Sequence, residues 1–325
     1  MNFQNLQKIE KPDVYINIAF NNARVKTSKL IIRKTKSREE KLLIICREKI
    51  KRFGMSLNKQ LSYIVENFPK IGELSEFYQD LCKISFDVDK LKKALYSLKW
   101  STRMIEELTN KYHNLISKTK KIEIEKEYYG RTISVVKKLL NNLEYIEKCR
   151  KIMKDFPSIK TDLFTVAIAG FPNVGKSTLL SKITTAKPEI KNYYFTTKNL
   201  NLGYVRVANK KIQFIDTPGT LNRLDKMNNI EKQAYLVMKT VANAIIYIFD
   251  PTEQYPIKDQ ELLLEKIKEY NKPVFVYISK TDIIRINKKR FFNNTNEIYT
   301  DTNKLLLAIE KECYEKDLKA ILKNS

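Results

Sequence analysis

The apolar positions follow two different periods, and the change falls between Asp155 and Leu163. Before it they recur at three- and four-residue steps: Leu91, Leu95, Leu98, Ile105, Leu108, Tyr112 and Leu115, broken once by Thr102, then Ile133, Val136, Leu140, Leu143 and Ile146. Such spacing lines one face of a helix, so residues 60–155 read as helices, and two long stripes joined by a charged turn predict an antiparallel bundle. Gly130, within KEYYGRTIS, costs a helix interior about 1 kcal/mol and points to a kink or a close backbone approach. A further helix starts at Ser37, where Ser37-Arg-Glu-Glu40 has capping-box spacing. Leu43, Cys46, Ile50 and Phe53 form its apolar face, with Lys41, Arg47, Lys51 and Arg52 on the others.

From Leu163 the runs are short, apolar and β-branched: 165–170, 201–208, 211–216, 244–250 and 273–279, alternating with helical stretches near 177–185, 230–242, 258–270 and 302–322. That alternation predicts an α/β domain with a mostly parallel sheet covered on both faces. Pro157 discourages helix continuation, so the expected division is an all-α helical-bundle domain over 1–158 and an α/β domain over 159–325.

Charge adds a partner class. The chain of 325 residues carries 61 Lys and Arg against 37 Asp and Glu, a net +24, with 35 basic and 19 acidic side chains in residues 1–160. No acid lies between Asp13 and Glu39. This field attracts polyanions, RNA first among them, unless it only solvates the surface. The Ser37 helix could instead lie on a membrane surface, although the single Trp, Trp100, lies elsewhere. The longest apolar run, Ala244 to Phe249, is far too short to cross a bilayer. With no signal-like opening segment, a cytoplasmic location is expected. Cys46, Cys82, Cys149 and Cys313 are scattered and read as packed thiols, and the lone His113 as a surface or packed residue.

The candidate chemistry sits at strand ends. Gly170-Phe171-Pro172-Asn173-Val174-Gly175-Lys176-Ser177, followed by Thr178, is a G-x-x-x-x-G-K-S loop between an expected strand and an expected helix. Its backbone N–H groups cradle phosphates, Lys176 reaches the β- and γ-phosphates, and the Ser177 hydroxyl ligates Mg²⁺. Asp216-Thr-Pro-Gly219 ends another strand, placing Asp216 to hold a Mg²⁺-bound water and the Gly219 N–H to sense the γ-phosphate. Ser279-Lys-Thr-Asp282 selects the base. Guanine offers N1–H and an exocyclic amine side by side, so the Asp282 carboxylate accepts from both, whereas adenine presents an acceptor there. The Lys280 stem covers the base face, and Ser279 stands where an Asn is usual, lowering affinity while retaining guanine selectivity. The expected nucleotide is GTP.

These motifs, with Tyr193-Tyr-Phe-Thr-Thr197, resemble the Obg-related branch of translation-factor GTPases, and within it the nucleolar GTP-binding protein family. The likeness extends through Phe68-Pro69, Leu91-Lys-Lys-Ala-Leu95 with Trp100, Tyr129-Gly-Arg131, Ala186-Lys-Pro-Glu189, Asn229-Ile-Glu-Lys-Gln-Ala234 and Asp250-Pro-Thr-Glu253. The resemblance implies a phosphate-loop (P-loop) GTPase domain after a helical bundle, a role in large ribosomal subunit biogenesis, and contact with rRNA through the basic helical half. Eukaryotic members continue beyond the GTPase domain, so an archaeal counterpart is implied. Thr197, or its neighbour Thr196, is the implied first-switch contact to Mg²⁺ and the γ-phosphate. Asn173 matches an asparagine that supports a catalytic K⁺ in some relatives, the alternative being that it only shapes the loop. A third base-contacting loop is implied after Ile298-Tyr299, although Thr300-Asp301-Thr302 departs from the usual pair. Thr220 stands where signalling GTPases place a water-orienting Gln, so slow intrinsic hydrolysis is expected, a missing group of this kind being worth about 10³–10⁵ in rate. Two other readings stay open: an RNA-binding assembly factor that holds GTP structurally, and a GTPase at a membrane surface.

Overall fold

The computed structural model describes residues 3–28, 37–184, 189–191, 200–207, 210–217, 235–252, 254–282 and 298–324. Its contacts divide the chain into two compact units, one comprising Phe3–Glu73 and Ser85–Lys154, the other comprising Leu74–Ile84 and Asp155 onward. The expected division at residue 158 lies within a few residues of this change, but the segment 74–84 groups with the α/β unit, where Tyr78 Oη donates to Pro157 O at 2.6 Å and accepts from Ile159 N at 3.0 Å.

The first unit is all helix: α1 (Pro12–Ser28), α2 (Arg38–Asn67), α4 (Val88–Thr119), α5 (Ile124–Lys137) and α6 (Leu140–Lys154), with α3 (Glu76–Ser85) passing into the other unit. α2 starts at the capping box read in the sequence: Glu40 N donates to Ser37 Oγ at 3.2 Å, and Ser37 N to Glu40 Oε2 at 3.1 Å. Cys46, Ile50 and Phe53 on its inner face are buried. α4 runs unbroken through Thr102, whose hydroxyl bonds the Lys99 carbonyl at 2.7 Å. Its buried line is Leu91, Ala94, Leu98, Ser101, Ile105, Thr109, Tyr112 and Ile116. Leu95, Leu108 and Leu115 flank that line, and small or hydroxylated residues that an apolar count passes over carry part of it. The second stripe is two helices, and Leu140 is 40% exposed while its neighbour Leu139 is buried.

Close backbone approach occurs at Gly54, not at the expected Gly130. A Cβ on Gly130 would meet nothing within 4 Å, whereas one on Gly54 would sit 2.1 Å from Thr109 Oγ1 and 2.8 Å from Tyr128 Oη. Gly54 therefore lets α2 press against α4, beside a cluster in which Phe53 and Tyr129 ring centroids are 4.9 Å apart. All four cysteines are buried free thiols.

The second unit carries a seven-stranded sheet in the order β2-β3-β4-β1-β5-β6-β7. Its strands are β1 (Phe164–Ala169), β2 (Glu189–Lys191), β3 (Leu200–Val207), β4 (Lys210–Asp216), β5 (Ala244–Phe249), β6 (Val274–Ile278) and β7 (Ile298–Tyr299). The five strands from β4 to β7 run parallel, and β2 and β3 are antiparallel at one edge. β1 and β5 are buried almost throughout, as expected of strands covered on both faces. Three helices follow the expected stretches: α7 (Lys176–Ile183), α8 (Ile257–Lys268) and α9 (Thr302–Asn324). Residues Val237–Val241 form a short π-helical turn before β5.

Candidate active site

Parallel pairing brings three loops to one edge of the sheet. β1 ends at Ala169, in register with Tyr247 of β5, and Ile168 is opposite Asp216 at the end of β4. Phe249 of β5 is opposite Ile278, one residue before Ser279. In open α/β folds that carboxyl edge is where ligands bind.

The loop from Gly170 to Gly175 turns at positive φ in three places: Gly170 at 146°, Asn173 at 59° and Gly175 at 98°. A Cβ on Gly170 would lie 2.8 Å from the Ile248 carbonyl oxygen, so glycine is required there on steric as well as torsional grounds. α7 opens at Gly175 with no side-chain cap, leaving its first N–H groups for an anion. Lys176 is 8% exposed and its Nζ donates to Phe171 O at 2.6 Å and Gly170 O at 3.2 Å, folding the ammonium back over the loop. The Phe171 ring stacks on Tyr255, with centroids 4.5 Å apart.

Ser177 and Asp216, read separately from sequence as Mg²⁺ contacts, lie side by side. Ser177 Oγ donates to Asp216 Oδ2 at 2.5 Å, and Asn201 Nδ2 on β3 donates to the same oxygen at 3.1 Å. Asp216 Oδ1 is buried with no hydrogen-bond partner among the described residues. Burial pushes the Asp216 carboxyl above its ordinary value, against the lowering effect of Ser177, Lys176 and Asn201. An orphaned carboxylate oxygen beside a serine hydroxyl is a hard, all-oxygen donor set. It suits Mg²⁺, which keeps several waters and takes only one or two protein ligands beside phosphate oxygens. No group of three or more His, Cys, Asp or Glu that could cage a metal exists among the described residues.

The third loop carries Ser279, Lys280 and Asp282. Lys280 adopts φ 54° and its Nζ reaches the fully buried Asp250 Oδ2 at 2.5 Å. Burial alone would raise the Asp250 carboxyl, but Lys280 and Thr252 hold it below its ordinary value. Ser279 Oγ donates to Phe249 O at 3.2 Å, and Asp282 is exposed at the open edge. After β7, Asp301 caps α9 by accepting from Asn303 N at 2.7 Å and Lys304 N at 3.0 Å, which accounts for an acid where the usual pair is absent. Thr196, Thr197, Gly219 and Thr220 lie outside the described residues.

Asn201, Asp250 and Tyr255 were not singled out as site residues from sequence. Asn201 had no signal of its own, since only the register of β3 against β4 places it directly opposite Asp216. Asp250 and Tyr255 act across loops and had none.

A profile of the NOG1 N-terminal helical domain matches residues 3–160, and one of the 50S ribosome-binding GTPase domain matches residues 165–280. A protein of Methanocaldococcus jannaschii, itself termed uncharacterized, is 36% identical over 73% of this chain and 68% of its own length. The chain belongs to the NOG1 family of GTPases. Nucleolar GTP-binding protein 1 of Drosophila melanogaster is 30% identical over 87% of this chain, which spans 44% of that relative's length. A solved nucleolar GTP-binding protein 1 from Plasmodium falciparum is 25% identical, covering 52% of this chain and 95% of its own, with a TM-score of 0.43. Membership in the NOG1 family fits the order of a helical domain followed by a P-loop GTPase domain. Among the described residues, no helix is long and apolar enough to cross a membrane.

Proposed function

We propose that this NOG1-family chain is a cytoplasmic GTP-binding and GTP-hydrolysing switch in large ribosomal subunit biogenesis, contacting rRNA through its basic helical unit. The observation that carries the nucleotide part is the buried, unpartnered Asp216 Oδ1 beside Ser177, at the foot of a glycine-turned phosphate loop.

In this reading the loop from Gly170 to Thr178 wraps the phosphates. Lys176 exchanges its two loop carbonyls for β- and γ-phosphate oxygens, a gain for a buried ammonium. Ser177 and Asp216 hold Mg²⁺, with Thr197 or Thr196 completing the site when GTP is bound. Bound there, the metal neutralises charge on the phosphate oxygens. Gly219 senses the γ-phosphate, so both switches are ordered by GTP and released on hydrolysis. Asp282 reads guanine, and the Lys280 stem is steadied over the base by Asp250. Asn173 in a left-handed turn supports a loop-shaping role. Potassium-stimulated turnover that disappears in Asn173→Ala would add a cation role.

A structural GTP-binder with negligible turnover has one observation in its favour: Ser279 bonds a strand-end carbonyl and has no amide to extend toward the phosphate loop. Co-sedimentation with homologous ribosomal subunits tests the switch reading, using GTP, a non-hydrolysable analogue and GDP across a salt series. The switch binds large subunits more tightly with the analogue and resists moderate salt. Binding that ignores nucleotide and fades steeply with salt would reduce the interaction to counterion release from a basic surface and put the structural binder first.

A further inference from the structure

The most exposed large aromatic in the helical unit is Tyr96, at 69%, and one turn along α4 is Trp100, at 51%. The two rings stand at i and i+4, on the same face of the helix. They form one wall of a cleft of about 300 Å³ whose other wall is Val135, Lys138, Leu139 and Asn142, from the end of α5 and the start of α6. The floor is apolar where Leu139 is buried, and Asn142 contributes a carboxamide that both donates and accepts.

Charge around the cleft has one sign. From Lys90 to Ile105 there are five cations and no acid, and from Arg131 to Leu143 three cations and no acid. Lys90 lies over the Tyr145 ring, Lys92 pairs with Asp89 at 3.3 Å, and Lys137 pairs with Asp13 at 4.0 Å. Lys93, Lys99, Arg103 and Lys138 are exposed and enter no ion pair among the described residues. Lys93 and Lys99 flank Tyr96 at i−3 and i+3, and Arg103 is i+3 from Trp100, so cations alternate with rings along one helix surface. The acids that bound these stretches include Asp89, Glu106, Glu107 and Glu144, of which Asp89 pairs with Lys92 and Glu144 with Lys11 at 3.9 Å.

We propose that this cleft is a stacking site for an unpaired base of RNA, with Tyr96 and Trp100 as the platform and Lys93, Lys99, Arg103 and Lys138 tracking the flanking phosphates. Every base has a π-face, so an aromatic pair holds single strands with little sequence preference, and alternating cations supply the backbone attraction. A protein side chain could fill the cleft as well, but only an acidic partner would match the surrounding cations, whereas every RNA segment carries phosphates beside its bases. The assignment rests on the rRNA-contact reading above and names where on the helical unit a single-stranded segment lands.

Because Trp100 is the only tryptophan among 18 tyrosines, fluorescence of the full chain excited at the red edge, where tyrosine does not absorb, reports this site alone. The probe is single-stranded oligoadenylate of about twelve nucleotides, within the span such sites cover, against an RNA duplex of equal length. Saturable quenching by the single strand and not by the duplex is the expected result. Trp100→Ala should weaken oligonucleotide binding, read by anisotropy of a labelled strand, about 5- to 150-fold, while Trp100→Phe retains most of it. The salt slope should stay unchanged in Trp100→Ala and shrink by about 0.7 in Lys138→Gln. Both aromatic positions are half or more exposed, so truncation leaves the bundle core intact, and a thermal melt checks this. Oligonucleotide binding without quenching, equal in Trp100→Ala, would overturn the stacking site. Large-subunit pelleting in parallel separates the two readings: if it persists while quenching is absent, the cleft assignment falls and the ribosomal role stands. If pelleting needs Trp100 but no naked RNA quenches it, the cleft holds a protein side chain and the RNA assignment is wrong.

Discussion

Asn201→Ala isolates what the sequence motifs omit from the metal site. Asp216 Oδ2 accepts two hydrogen bonds, from Ser177 at 2.5 Å and Asn201 at 3.1 Å, while Oδ1 accepts none. The carboxylate is 7% exposed, so the Asn201 amide is a donor to a buried charge. Hydrogen bonds to charged groups are worth about 1.5–3 kcal/mol, or about 10- to 150-fold in an equilibrium. Asn201 itself is only half-buried, and water replaces part of its bond, so the lower end applies: about tenfold. The loss should appear only where Mg²⁺ is involved, because the amide steadies and favours the ionised carboxylate that the metal requires. The assay is the affinity for a fluorescent guanine nucleotide in excess EDTA and in saturating Mg²⁺, for wild type and variant. The expected outcome is equal affinity in EDTA and about tenfold less Mg²⁺ enhancement in Asn201→Ala. Equal Mg²⁺ enhancement, or a parallel fall under both conditions, would refute the reasoning.

The pH dependence has a definite sign. The Asp216 carboxyl lies above its ordinary value of 3.8, chiefly through burial. Without metal, the folded chain binds this proton more tightly than the unfolded chain. The contribution to stability is therefore present below the unfolded value and lost as pH rises through the folded one. Mg²⁺ needs the ionised form, so metal-supported nucleotide affinity rises over that same interval and then levels off. Removing Asn201, which lowers the pKa, moves the rise to higher pH.

Gly54→Ala should destabilise the chain by up to about 2 kcal/mol in urea denaturation, an overpacking cost of about 1–3 kcal/mol less the helix gain. The new Cβ would lie 2.1 Å from Thr109 Oγ1, itself bonded to Ile105 O at 2.6 Å and Tyr128 Oη at 2.8 Å, and overpacking of this kind exceeds the roughly 1 kcal/mol helix gain of Gly to Ala. Stabilisation would show that the contact relaxes freely. Ser279→Asn should tighten guanine nucleotide binding about 3- to 10-fold in the same fluorescence assay, one added hydrogen bond to the phosphate loop being worth about 0.5–1.5 kcal/mol; the Cβ atoms are close enough for this, a Cβ on Gly175 falling 3.6 Å from that of Ser279. Arg150→Ala should destabilise by about 1.5–3 kcal/mol, because the part-buried Glu147 loses two bonds, at 2.7 and 2.8 Å, and keeps the Ile9 N–H at 2.9 Å; Glu147→Gln/Arg150→Ala, which removes both charges, should recover much of the loss in chemical melts.

The register of strand ends, the capping box at Ser37 and the glycine-turned phosphate loop were legible because each depends on neighbours in sequence. Local backbone chemistry and one-face periodicity are local properties. The placing of the motifs at strand ends was legible too, but that Ser177 meets Asp216 follows from the parallel pairing of β1 with β4. The inner line of α4 was legible only in part. Thr109 is buried because Gly54 and Tyr128 come close to that helix, Ser101 is buried on the same line, and nothing local marks a polar residue as interior. Gly130 shows the converse: a glycine in a helical pattern with open space around it.

The sequence by itself determined the two-part architecture and the phosphate-binding loop, because these reside in contiguous runs whose periodicity and residue types have one physical solution. Only the tertiary structure decided which atoms complete them. Asn201 turns to Asp216 across a strand pair, Asp250 anchors Lys280 between loops thirty residues apart, and Tyr96 with Trp100 faces the α5–α6 junction across a cleft. Such contacts join residues distant in the chain, and their selection depends on how whole elements pack, which no local pattern encodes.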